Sequence, residues 1–167
     1  MAGATSKIIV IGVGNILLAD EGVGVRAAER LKERYVFPDN VEVYDGGVTG
    51  MHGLMPLIEE ADHLIILDAV KGPGEPGALY RYTVDDFRLN IPKKLSAHDI
   101  GVIELLAVAE LSGKLPQSTV ILGVKPLDMT SWSMELTPLI AGKVDDLAAM
   151  AVEELGKLGA APSLLAR

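Results

Sequence analysis

The chain has 167 residues, 49% of them apolar, and a formal net charge of −8. That is enough for one domain with a real core, and too acidic to grip a nucleic-acid backbone, since Arg88–Lys94 ("RLNIPKK") is the only basic stretch. There is no cysteine, which removes disulfides, a thiol nucleophile and any thiolate metal site.

With two Phe and one Trp, the core must be built from Val, Ile, Leu, Ala and Met. No apolar run approaches the ~18 residues that a membrane span needs. The opening "MAGATSK" does not read as a signal peptide, so a cytoplasmic protein is the expectation; a monomer is expected separately.

Lys7–Val13 ("KIIVIGV") has the continuous apolar character of a parallel strand covered on both faces. Gly22–Tyr35 reads as a helix, with Val23, Ala27, Leu31 and Tyr35 at four-residue spacing. Val41–Asp45 is a second strand, and Gly46-Gly47 turns the chain. Thr49 suits the cap of a helix over Gly50–Ala61, which Pro56 bends. His63–Val70 ("HLIILDAV") is a third buried strand, followed by the Gly/Pro-rich loop Lys71–Gly77.

Ala78–Thr83 reads as an additional strand and Asp85–Leu95 as a connection. Ser96 and Asp99 have the spacing of a capping box opening a helix to Leu111. That helix is apolar nearly all round, which predicts deep burial. Thr119–Val124 is another strand, and the loop "KPLDMTSWSME" follows. Thr137-Pro138 pairs a capping residue with a first-turn proline. Leu136, Ile140, Val144, Leu147, Ala151 and Leu155 stripe one final helix. Residues 1–160 are expected to form a single domain, with 161–167 a loose tail. Alternating strands and helices predict a three-layer α/β/α fold around a twisted, mostly parallel sheet of about five strands.

The opening "VIGVGNILLADEGVGVR" (10–26) resembles a dinucleotide fingerprint only in part. Gly12 and Gly14 fit, but Leu17 stands where the third glycine lets helix and strand approach. A phosphate beside Asp20 and Glu21 would meet like charge. There is no phosphate-loop Gly-Lys-Ser/Thr, no Gly-x-Ser-x-Gly elbow and no His-Glu-x-x-His helix. A serine or cysteine protease is therefore disfavoured.

In a parallel sheet, ligands gather beyond the carboxyl ends of the strands. Three segments reach that edge, carrying Glu21, Asp68 and His98. Two carboxylates and an imidazole suit a borderline divalent metal such as nickel or zinc, and they leave coordination positions open for water, substrate or another protein. Each residue also has a plainer role. Asp20 or Glu21 favours a helix N-terminus, Asp68 a turn, and His98 the first turn of a capped helix. His63 falls at the wrong end of the sheet, and His52 is a reserve ligand. Trp132 and Met134 suit either a partner contact or a plug for a hydrophobic edge.

The segments "GVGNILLADEGVGVR" (12–26), "DGGVTG" (45–50), "LIILDAV" (64–70), "SAHDIG" (96–101), "GVKP" (123–126) and "MELTP" (134–138) together resemble the maturation endopeptidases of nickel–iron hydrogenases. The resemblance runs in order over residues 7–156. It implies an aspartyl-type endopeptidase that removes a C-terminal extension from the hydrogenase large-subunit precursor after nickel insertion. It further implies that Glu21, Asp68 and His98 meet the nickel held by that precursor, so the metal arrives with the substrate. The readings that compete with it are a nucleotide-binding enzyme with Asp45 or Asp68 on ribose hydroxyls, a non-catalytic nickel or hydrogenase assembly factor, and a related protease with another substrate.

Overall fold

The computed structural model describes residues 5–47, 51–89 and 97–166, without the side chains of 51–52, 87–89 and 97–100. Five strands form the central sheet: β1 (Ile8–Val13), β3 (Val41–Gly47), β4 (His63–Ala69), β5 (Leu79–Thr83) and β6 (Ser118–Val124). Their order is β3-β1-β4-β6-β5. All neighbours run parallel except β5, which closes one edge antiparallel to β6. β1, β4 and β6 are buried along almost their whole length, which is why they carry apolar residues without alternation.

Side chains divide by strand parity. Ile8, Val10, Ile65, Leu67, Leu122 and Val124 face one core, covered by helices α1 (Val23–Arg34) and α6 (Val144–Lys157). Ile9, Ile11, Leu64, Ile66 and Ile121 face the other, covered by α2 (Met51–Glu60) and α4 (Ala97–Leu111). The expected three-layer, mostly parallel architecture is the one observed.

Several local expectations are corrected. The helix Ala97–Leu111 is not buried all round. Val102, Leu105, Leu106 and Ala109 are buried, whereas Val108 and Leu111 face outward. The helix lies in an outer layer, so its apolar content exceeds the stripe that the sheet can cover. The single final helix is two, α5 (Pro138–Ala141) and α6, parted at Gly142-Lys143. Gly142 favours a helix interior poorly, and the turn there tightens, with Lys143 N–H donating to Ile140 O at 2.9 Å. The buried stripe nevertheless continues through Ile140, Val144, Leu147, Ala151 and Leu155.

The connection after β5 begins as a short helix α3 (Val84–Leu89). Thr49 and Ser96, the two expected caps, lie outside the described residues. The segment read as a loose tail is tethered: β7 (Ser163–Leu164) pairs antiparallel with β2 (Tyr35–Val36), and Leu165 N–H donates to Arg34 O at 2.7 Å.

The close approach of helix and sheet that Leu17 seemed to forbid is supplied by another residue. A Cβ on Gly24 would fall 2.1 Å from Leu67 O and 2.6 Å from Val13 O, and one on Gly12 would fall 2.3 Å from Gly24 O. The start of α1 therefore rests directly on the main chain at the ends of β1 and β4.

Asp20 locks a second seam. It lies in the 3-10 turn Ala19–Gly22 and has no exposure to solvent. Its Oδ2 accepts from the backbone N–H of Leu127 (3.0 Å) and Asp128 (2.9 Å), and its Oδ1 from Thr137 N–H (2.8 Å). The Thr137 hydroxyl donates to the same carboxylate instead of capping α5.

A buried carboxylate with four donors holds two distant loops together, and truncating it strands those donors. Asp20→Ala should lower unfolding free energy by about 3 kcal/mol or more, measured by urea denaturation.

Glu154 is a second buried acid. It joins α6 to β5 through Arg81, at 2.5 Å and 3.2 Å, with Lys157 at 3.0 Å. The Arg81 guanidinium, and after it Lys157, holds the Glu154 carboxyl below the usual 4.5. A lowered folded-state value means that this stabilisation is complete above the unfolded value and is lost as pH falls through the folded one. The urea midpoint of the native chain should therefore drop on acidification below about pH 4.5 more steeply than that of Glu154→Gln.

Candidate functional site

β1 ends at Val13-Gly14. Gly14 has φ +128°, and a Cβ there would fall 1.9 Å from Glu21 O, so only glycine permits the chain to double back. Asn15 shapes the return: its Oδ1 accepts from Leu17 N–H at 2.9 Å and its carbonyl from Leu18 N–H at 3.1 Å. Ala19, the first residue of the 3-10 turn, takes a left-handed φ of +48°. The acidic pair then splits. Asp20 points inward to its four donors, while Glu21, partly exposed, lies one residue nearer α1. The two acids look alike in the sequence, but only Glu21 is left near the surface.

Asp68 stands one residue past Leu67, whose carbonyl supports Gly24. It is 4% exposed, and its Oδ1 accepts from Ala69 N–H at 2.8 Å. It pairs in register with Gly123 of β6, whose lack of a side chain leaves room for Val70. By strand parity Asp68 falls on the face that α2 and α4 cover, together with Leu64 and Ile66.

The backbone of His98 lies in the first turn of α4; its side chain lies outside the described residues. A helix of 15 residues spans ~22 Å, about the length of β6, which begins on the amino edge shortly after α4 ends. The chain therefore brings the start of α4 to the carboxyl edge. The turn of Glu21 and the strand end of Asp68 reach that same edge. Among the described residues, no group of three His, Cys, Asp or Glu is placed to hold a metal ion.

The other histidines separate. His63 is on the amino edge with Nδ1 2.7 Å from Ser118 Oγ, a satisfied structural contact away from Asp68. His52 is in the first turn of α2, with its side chain outside the described residues.

The loop 125–137 borders the Glu21 turn. Ala19 N–H donates to Ser133 O and Ser133 N–H to Leu17 O, each at 2.9 Å, and Asp20 N–H donates to Asp128 O. Inside the loop, Asp128 accepts from Ser131 N–H (3.0 Å) and Thr130 N–H (2.9 Å). Ser131 and then Thr130 hold its carboxyl down at about 2. Trp132 and Met134 do not plug an edge; they are 81% and 59% exposed. The sequence reading missed Asp20 as the tie between these loops, because its partners lie more than a hundred residues away and no local pattern signals them.

Known proteins resemble this chain in sequence and in fold. A family model described as hydrogenase maturation protease matches residues 25–154. A hydrogenase expression/formation protein HupD from Bradyrhizobium diazoefficiens is 42% identical over 155 residues, covering 90% of this chain and 80% of its own. The hydrogenase 2 maturation protease of Escherichia coli is 36% identical, covering 83% and 84%. The solved structure of the hydrogenase maturating endopeptidase HybD from E. coli superposes with a TM-score of 0.87 at 33% identity, over 95% of this chain and 97% of that one. With a family model across most of its length and relatives of this likeness, the chain belongs to the hydrogenase maturation protease family.

Proposed function

We propose that this protein cuts the C-terminal extension from a nickel-loaded precursor of a hydrogenase large subunit, using the precursor's own nickel as the mark of readiness. The reading takes it as a cytoplasmic monomer and as neither a serine nor a cysteine protease. The observation that carries the proposal is the seam of Gly12, Gly14 and Gly24, which sets the Glu21 turn on the main chain beside Asp68 at the carboxyl edge. Family membership supplies the reaction class.

In this account Glu21, Asp68 and His98 complete the coordination of a nickel ion that the precursor's thiolates already hold. The chain has no cysteine of its own with which to compete for that ion. Precursor binding then depends on metal, and cleavage waits for cofactor assembly. In the chemical step water adds to the scissile carbonyl, the C–N bond breaks and the departing amine takes a proton. Two divisions of labour fit. Either the metal polarises the carbonyl or delivers hydroxide, or Asp68 takes the proton from the attacking water while nickel only positions the chain.

Nickel-loaded precursor incubated with the protein should lose its C-terminal peptide by intact mass, and nickel-free precursor should not; equal cleavage of both would remove the metal from the account. Asp68→Asn should lower the cleavage rate by at least about 100-fold. Retained nickel-dependent binding in that variant would assign Asp68 the base role, and lost binding a ligand role. An unchanged rate would remove it from the site.

A further inference from the structure

We propose that the loops 15–18 and 125–137 form a preformed apolar platform that docks an apolar face of the substrate protein beside the edge where it is cut. This rests on the function proposed above. Four large apolar side chains stand on these loops: Leu17 (44% exposed), Leu127 (56%), Trp132 (81%) and Met134 (59%). Large exposed apolar groups gathered on neighbouring loops mark a surface that another molecule covers. Trp and Met are enriched where proteins meet.

The loops are held in place before any partner arrives. Leu17 O and Ala19 N–H bond both backbone groups of Ser133. Asp20 fixes Leu127, Asp128 and Thr137 from below. Arg26 Nη2 donates to Met134 O at 2.9 Å. A surface ordered in advance loses little entropy on binding.

Its position identifies the occupant. Leu17 and Glu21 belong to one continuous turn, so whatever brings a scissile segment to the Glu21–Asp68 edge passes beside this surface. An apolar surface beside that edge is matched by an apolar face of the same substrate.

Trp132 is the only tryptophan, so the chain grown with 5-fluorotryptophan carries one fluorine reporter, on the platform. Titration with nickel-loaded precursor should shift or broaden that ¹⁹F resonance. Trp132→Ser and the double variant Leu127→Ser/Met134→Ser should keep the native melting temperature. Each should raise KM for the precursor about tenfold or more with kcat within about twofold, as loss of an interface anchor does. An unmoved resonance with unchanged KM overturns the platform. A resonance that moves with the protein's own concentration, accompanied by dimer in sedimentation, also overturns it by making the surface a self-contact. If the native chain fails to cut the precursor at all, the proposed function falls, and the ¹⁹F titration still reports docking by itself.

Discussion

A carboxylate sealed from water and bonded to four donors on other segments organises the working end of this protein. Asp20 stands at the beginning of the chain's first crossover, and Leu127, Asp128 and Thr137 follow β6, the last strand of the central sheet. Removing a charge from water is costly, and it is tolerated here because main-chain N–H groups replace the lost hydration. The loop 125–137 thereby becomes an extension of the 3-10 turn, and Glu21, the neighbour of Asp20, has its main chain fixed from both sides. The clasp reinforces the main-chain bonds of Leu17, Ala19 and Asp20 with Ser133 and Asp128, which also join the Glu21 turn to the Trp132 loop.

The two members of the acidic pair have opposite relations to solvent. Asp20 is sealed inside and bonded to four donors, whereas Glu21 is partly exposed. Another buried acid, Glu154, is also structural: Arg81 of the antiparallel edge strand ties that strand to the last helix through it. Burial of a carboxylate is therefore not in itself a functional sign in this molecule. Asp68 differs in its place, at a strand end of a parallel sheet where crossovers open outward.

Much of the fold was legible because the strands are covered on both faces. Runs such as Ile8–Val13 and Leu64–Leu67 have no other reading than buried parallel strands once the Gly- and Pro-rich punctuation is seen. The edge strand Leu79–Thr83 was equally readable. The α4 burial was overestimated because composition reports how apolar a helix is, not how wide a surface it meets. The break at Gly142 and the tether of Ser163–Leu164 to Tyr35–Val36 escaped for a common reason: each depends on tertiary neighbours that local propensity does not contain. At the site, topology alone drew Glu21, Asp68 and the start of α4 to one edge. The role of Asp20 was invisible, since the same two letters, Asp-Glu, serve equally well as an ordinary helix entrance.

The glycine seam has a further consequence. Where Gly24 meets Leu67 and Val13, and Gly12 meets Gly24, main chain lies on main chain with no side chains between. Rotamers elsewhere can rearrange, and core residues can trade a methyl group for another, without a cushion of atoms passing the change on to the turn that bears Glu21. The acid's location is an outcome of peptide geometry and not of packing taste, so a change in the hydrophobic interior leaves its main chain where it is.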